Sequence, residues 1–268
     1  MVKICIDAGH SGKYNRSPVV KEYYESDMNW KLHLLLKKYL EQYGIEVILT
    51  RTSQAAEMEL TTRGKKAKGC TLFLSIHSNA CDTESVDYPV VYVPISGKGT
   101  DIGTKLAECI ASTMGTKQKG KIASRKGNSG DYYGVIRGAA SVGVPGLILE
   151  HSFHTNTKAT KWLMNEKNLD KLAKAEADVI AAHYGITKEE KGMVDVKVSV
   201  LKKGEKGDQV KALQALLIGY GFSCGAKAVD GSFGSATDKA VRAYQKANGL
   251  TVDGSVGPAT WSKLLGVN

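Results

Sequence analysis

Three residues able to bind a metal ion or to move a proton each stand at the end of an apolar segment. They are His10, His77 and Glu150, and the segment before each has the pattern of a buried strand. Because the carboxyl ends of parallel strands meet at one edge of a sheet, with neighbours about 5 Å apart, we expect these side chains to converge in one crevice. Two histidines and a carboxylate are a ligand set for zinc that leaves a fourth position for water.

A fourth candidate, Glu25, stands at the start of a predicted helix. One of Glu25 and Glu150 would bind the metal while the other acts as a general base, and the order of residues does not assign these two roles. Three of these residues also have a purely structural explanation. In that case Glu25 would stabilise the N-terminus of its helix through its charge, His10 would cap its turn, and His77 would be a hydrogen-bonded core residue. Glu150 is harder to explain in this way, because burying an acid without a partner is costly.

Alternating strands and helices must position these residues. Strands are predicted at 4–6, 45–49, 71–76, 87–93 and 144–150, and helices at 25–40, 60–68, 101–114 and 169–184. This alternation predicts an α/β layered domain with a largely parallel, twisted sheet flanked by helices. The strand at 71–76 is continuously apolar, so we expect it in the middle of the sheet.

The sequence pattern changes after residue 184. Residues 185–200 are charged and weakly patterned, as in a linker. Beyond them, the segment at 229–237 is repeated at 252–260, and each copy has a Val-Asp-Gly turn followed by the start of a helix. Helices are predicted at 208–220, 235–248 and 258–265. We therefore expect a small three-helix C-terminal domain over residues 201–268.

Composition excludes several classes of protein. The 268 residues are 42% hydrophobic and 24% charged, as in an ordinary globular protein. The net charge of +10 predicts attraction to polyanions, but the cationic residues are scattered without interleaved aromatics, so we expect no nucleic-acid partner. No apolar run reaches the roughly 18 residues of a membrane span, so we expect no stable membrane insertion. Five scattered cysteines without C-x-x-C spacing indicate reduced thiols.

Six motifs occur in order along the N-terminal region. They are Asp-Ala-Gly-His-Ser-Gly at 7–12, Glu-Ser-Asp-Met-Asn at 25–29, Leu-Thr-Arg at 49–51, Leu-Thr-Thr-Arg at 60–63, Ser-Ile-His-Ser-Asn-Ala at 75–80, and Val-Pro-Gly-Leu-Ile-Leu-Glu at 144–150. Through them, residues 1–184 resemble the zinc-dependent N-acetylmuramoyl-L-alanine amidases of the amidase-3 type, found in bacterial autolysins and phage endolysins. Residues 204–265 resemble a peptidoglycan-binding type 1 module through their repeat.

The resemblance assigns the roles that spacing leaves open. It implies one zinc ion per catalytic domain, with His10, Glu25 and His77 as ligands and Glu150 as the catalytic acid/base. The implied reaction is cleavage of the amide between N-acetylmuramic acid and L-Ala of the stem peptide in bacterial cell-wall peptidoglycan. Asn79 and Arg63 are further candidates for substrate binding, with structural alternatives for both. The resemblance gives no oligomeric state.

Several positions depart from the family or lie beside its motifs. His151 and His154 stand where many members have aliphatic or small residues. Strand alternation predicts that His151 points away from the zinc, and we expect His154 at the surface or in a structural position. Tyr132 and Tyr133 are candidates for lining the groove, although we expect them in the core.

Two rival functions belong to other classes. One is a catalytically inactive wall-binding or regulatory protein with an amidase fold, against which the retention of all four site residues argues. The other is a zinc peptidase that cuts within the stem peptide. Because residues 1–3 run directly into the first predicted strand, we expect no signal peptide. We then expect synthesis in the bacterial cytoplasm and access to the wall by holin-type release or by export without a signal peptide.

Overall fold

In a computed structural model of the chain, residues 2–128, 130–187 and 198–266 are described. They belong to two compact units, an N-terminal unit ending at Lys191 and a C-terminal unit beginning at Gly192. Most of the predicted linker at 185–200 lies outside the described residues, which omit 188–197.

A six-stranded sheet forms the centre of the N-terminal unit. The strands of this unit are β1 (Lys3–Ala8), β2 (Glu46–Leu49), β3 (Leu72–Asn79), β4 (Val90–Tyr92), β5 (Lys121–Ala123), β6 (Lys126–Gly127), β7 (Gly130–Asp131) and β8 (Gly146–Phe153). The sheet has the order β2-β1-β3-β8-β4-β5, and β6 pairs with β7 separately. Only β4 and β8 are antiparallel neighbours within the six described strands. The prediction of a largely parallel sheet is therefore confirmed, with the apolar strand β3 inside it.

Helices cover both faces of this sheet. They are α1 (Glu25–Glu41), α2 (Leu60–Lys65), α3 (Thr100–Met114), α4 (Gly134–Ser141), α5 (Thr157–Met164) and α6 (Glu166–His183). Because successive strand residues point to opposite faces, Ile4 and Ile6 of β1 join the core formed with α1, α3 and α6. Cys5 between them joins a second core, formed with α4. Within the described part of the chain, no helix has both the length and the apolar character needed to cross a membrane.

Helix α4 was not predicted, and its glycines explain why. Glycine lowers helix propensity by about 1 kcal/mol relative to alanine, and the helix contains Gly138 in its middle. A Cβ atom on Gly138 would lie 2.1 Å from the carbonyl oxygen of Thr61, and one on Gly64 would lie 2.1 Å from that of Val135. Helices α2 and α4 therefore meet backbone to backbone, and the glycines are required by this contact.

Three helices, as predicted, lie in the described part of the C-terminal unit. Its helices are α7 (Asp208–Gly219), α8 (Ser235–Ala247) and α9 (Pro258–Leu265). Its core is one apolar cluster. Leu213, Phe233, Val241, Tyr244 and Trp261 are buried in it, and Leu216 and Leu250 pack against it partly buried.

Each copy of the sequence repeat is organised by a buried glutamine of the preceding helix. Gln214 donates to Asp230 Oδ1 at 2.8 Å and to Thr237 Oγ1 at 3.1 Å, and it accepts from the Gly231 amide at 2.8 Å. Gln245 makes the matching contacts in the second copy, with Asp253 Oδ1, Thr260 Oγ1 and the Gly254 amide. The side-chain amide thus satisfies buried polar groups of the turn that the backbone does not pair.

We predict that Gln245→Ala destabilises the C-terminal unit by about 1–3 kcal/mol, because it leaves the buried Gly254 amide without an acceptor. The neighbouring surface substitution Lys246→Ala is the control and should change stability by no more than about 0.5 kcal/mol. Denaturant unfolding measures both, followed by the fluorescence of Trp261 in a chain whose Trp30 and Trp162 are replaced by phenylalanine. Equal midpoints for the two variants would contradict this account of the repeat.

Candidate metal centre

His10 is held in a turn directly beyond β1. Its backbone has φ of +61°, the left-handed region that non-glycine residues seldom adopt. The buried Arg51 donates from Nη2 to the carbonyls of both Ala8 and His10. The ring of Tyr14 stacks on the imidazole with 4.8 Å between centroids. These contacts fix the direction in which the His10 ring points.

Glu25 is the first residue of α1 and is buried. Its Oε1 accepts from the backbone amide of Ser78 at 3.0 Å and from Asn29 Nδ2 at 3.4 Å. Its Oε2 accepts from Asn15 Nδ2. Buried charges need such hydrogen bonds, and these donors come from a loop, the helix itself and β3.

The carboxylate of Glu25 lies between two imidazoles. Nε2 of His10 is 3.2 Å from Oε2, and Nδ1 of His77 is 2.8 Å from Oε1. Burial acts to raise the pKa of Glu25, but the hydrogen bonds and charges of His10 and His77 outweigh it and hold this pKa well below its usual range. Glu25 is therefore an ionised carboxylate and a suitable metal ligand.

The ring of His77 lies directly against the backbone of the His10 turn. A Cβ atom on Gly9 would be 2.2 Å from Cε1 of His77, so only glycine permits this approach. The Gly9 amide donates to the carbonyl of Ile76 at 3.0 Å, which joins the turn to β3.

The geometry of these three residues fits a metal ion. One ligand atom from each of His10, Glu25 and His77 lies within 4.8 Å of the other two. Ligands bound at 2.0–2.1 Å in a tetrahedron are about 3.3 Å apart, so small shifts of these side chains would complete a site. Two imidazoles and one carboxylate are also a donor set found in catalytic zinc sites. The structure thus brings together the three residues expected to be ligands.

Glu150 stands apart from this cluster on β8, in register with His77. Its Oε2 is buried and has no hydrogen-bond partner among the described residues. Burial, and then the negative charge of Glu25, raise the pKa of Glu150 well above its usual range. The two acids that sequence spacing could not separate are thus distinguished by their surroundings, because Glu25 is suited to binding a cation and Glu150 to holding and transferring a proton.

These groups face an open cleft of about 550 Å³. One wall carries Ser11 and Tyr14 of the His10 loop, and the other carries Leu60 and Gly134 at the starts of α2 and α4. Tyr133 also lines the cleft while packing on Tyr92 with 4.8 Å between ring centroids. Tyr132 is exposed, so the expected core position is wrong for this residue.

Arg63 and Asn79, the two candidates for substrate binding, also line the cleft. Arg63 is buried, with Nη1 3.5 Å from Oδ2 of the buried Asp7. Asn79 accepts from the backbone amide of Ala80 at 2.9 Å. Both side chains thus have structural partners, and their contact with substrate stays a prediction.

His151 and His154 lie outside the cluster of ligands. The His151 ring contacts Glu176 of α6, so its predicted direction away from the metal site is confirmed. His154 is buried, and its Nδ1 is 3.0 Å from Oγ of Ser78, which matches a structural position.

Sequence reasoning did not single out the two asparagines that bind Glu25. Asn29 lies four residues after Glu25, one helical turn away on the same face, and this spacing is a signal that was available. Asn15 lies in a polar loop and had no such signal.

Comparison with known proteins agrees with the geometry. Residues 4–182 match the family described as N-acetylmuramoyl-L-alanine amidase, and residues 206–264 match a peptidoglycan-binding domain. The amidase CwlM of Bacillus licheniformis is 26% identical over 216 residues, which are 79% of this chain and 80% of CwlM. The amidase CwlL of the same organism is 49% identical over 69 residues. These residues are 26% of this chain and only 19% of the length of CwlL.

A solved structure extends the comparison to the fold. The catalytic domain of the amidase CwlV from Bacillus (Paenibacillus) polymyxa var. colistinus superposes with a TM-score of 0.60 and 26% identity. The match covers 70% of this chain and 100% of that domain. Since the family match also spans most of the sequence, this chain belongs to the N-acetylmuramoyl-L-alanine amidase family.

Proposed function

We propose that this protein is a zinc-dependent peptidoglycan hydrolase that cleaves the amide between N-acetylmuramic acid and L-Ala of the stem peptide. One observation carries the proposal: an ionised acid clustered with two histidines shares one cleft with a second acid whose pKa is raised. Family membership selects the amide bond among those that such a site could hydrolyse. The same proposal places the action of the protein at the bacterial cell wall.

His10, Glu25 and His77 would hold the zinc ion. When bound, zinc supplies a Lewis acid that polarises the scissile carbonyl and lowers the pKa of water. Glu150 accepts the proton of the attacking water and then delivers it to the nitrogen of the leaving amine. Its raised pKa suits this second step, because the carboxyl must hold the proton until the C–N bond breaks.

The two rival functions make different demands on the site. An inactive binding protein has no need for an unpartnered buried carboxyl oxygen such as Oε2 of Glu150. A zinc peptidase would use the same chemistry on another bond. Mass spectrometry of digested peptidoglycan distinguishes it, because a peptidase leaves L-Ala attached to the muramic acid.

We predict that Glu150→Gln lowers kcat by about 10²–10⁴-fold, because the amide cannot accept the proton of water. The assay is release of new L-Ala amino termini from purified peptidoglycan without new reducing ends. Glu108→Gln, at an exposed position of α3, is the matched control and should keep wild-type activity. A Glu150→Gln protein that cleaves at the wild-type rate would exclude the proposed mechanism.

We further predict that the wild-type protein binds one zinc ion per chain and that His77→Ala loses it, because two of the three ligands do not hold the metal firmly. Elemental analysis after dialysis measures the zinc content. His183→Ala, at the end of α6, should keep the full content. EDTA should abolish activity and added zinc should restore it, and activity that survives EDTA would contradict the zinc assignment.

The peptidoglycan-binding match predicts that the C-terminal unit retains the protein on the wall. Full-length protein should sediment with insoluble peptidoglycan at physiological ionic strength, where the weak attraction of scattered charges is screened. A chain ending at residue 187 should stay largely in solution. Equal sedimentation of the two proteins would remove this targeting role.

A further inference from the structure

The pairing of β3 with β8 changes register at the metal centre. His77 is opposite Glu150, whereas Asn79 is opposite Phe153. Strand β8 therefore has one more residue than β3 over this interval, and Ser152 within it has φ of +62°. This is a β-bulge, a feature that occurs beside active sites and redirects the side chains next to it.

His151 lies in the bulge and bonds to the backbone of a proposed zinc ligand. Its Nδ1 is 2.9 Å from the carbonyl oxygen of His77. Since a carbonyl oxygen can only accept a hydrogen bond, Nδ1 is the donor. The imidazole thus links β8 to β3 at the residue pair His77 and Glu150, which carries both a metal ligand and the proposed acid/base.

Glu176 of α6 holds the other side of the His151 ring. Its Oε1 is 2.6 Å from Nε2, and both side chains are fully buried. Its Oε2 has no hydrogen-bond partner in the described part of the chain. Buried ion pairs of this kind are often no more stable than apolar residues of similar volume. Stability alone is therefore a weak explanation for the pair.

We propose that His151, oriented by Glu176, is a positioning residue that fixes His77 relative to Glu150. This inference rests on the proposed zinc amidase function. His151 acts through the backbone of His77, because its ring faces α6 and does not line the cleft. Groups that orient metal ligands in this indirect way commonly change metal affinity by about 10- to 100-fold when removed.

The test uses the double variant His151→Leu/Glu176→Leu, which removes both buried charges together and leaves neither unpaired. We expect its zinc dissociation constant, measured by competition with a chelating indicator, to rise about 10- to 100-fold. We expect kcat to fall with KM unchanged. The thermal midpoint of the zinc-free protein should be equal to or above that of the wild type, so the loss of affinity is not a loss of folding.

A second variant, His151→Asn/Glu176→Leu, restores only the donor. The amide nitrogen of asparagine is attached to Cγ, like Nδ1 of histidine, and can reach the His77 carbonyl. It should recover zinc affinity to within about threefold of the wild type, against the 10- to 100-fold loss of the leucine variant. Wild-type affinity in the leucine variant, or no recovery in the asparagine variant, would overturn the proposal. If the wild type binds zinc but cleaves no peptidoglycan, the proposed function is wrong. The zinc affinities of the wild type and the two double variants would still test the positioning role of His151.

Discussion

The structure of the metal centre depends on keeping one buried carboxylate ionised. Glu25 is almost entirely shielded from solvent, and its charge is supported by two imidazoles and by hydrogen bonds from Ser78, Asn15 and Asn29. These donors belong to the strand β3, the loop after β1 and the helix α1. A local change in any of the three elements would leave a buried charge short of donors, which is costly. The carboxylate therefore couples the ends of these elements to one another.

The same charge determines the character of the second acid. Glu150 has no partner for Oε2 and faces the negative charge of Glu25, so its pKa is raised. Hydrogen-bond donors lower the pKa of Glu25, whereas burial and the charge of Glu25 raise the pKa of Glu150. Two residues of the same type thus acquire different chemical roles from their surroundings. Glu25 accepts a hydrogen bond from Ser78 of β3, and Glu150 lies on the neighbouring strand β8 in register with His77.

Local sequence patterns predicted the elements whose structure depends on residues close together in the chain. Apolar runs identified β1, β3 and β8, and the convergence of His10, His77 and Glu150 followed from parallel strand geometry. The antiparallel direction of β4 was not predicted, because strand direction depends on long-range packing and not on the residues of the strand. Helix α4 was missed because tertiary contact required glycines that local propensity disfavours. The contact of His151 with Glu176 joins residues 25 positions apart and left no periodic signal.

The backbone contact between α2 and α4 has a consequence for the shape of the cleft. Leu60 and Gly134, which line one wall, lie at the starts of these helices. At Gly64 and Gly138 the two helices touch without intervening side chains, so this wall contains no layer that could repack to make room for a ligand. The shape of the cleft beside Leu60 and Gly134 is therefore set by contact between two backbones and not by side-chain packing.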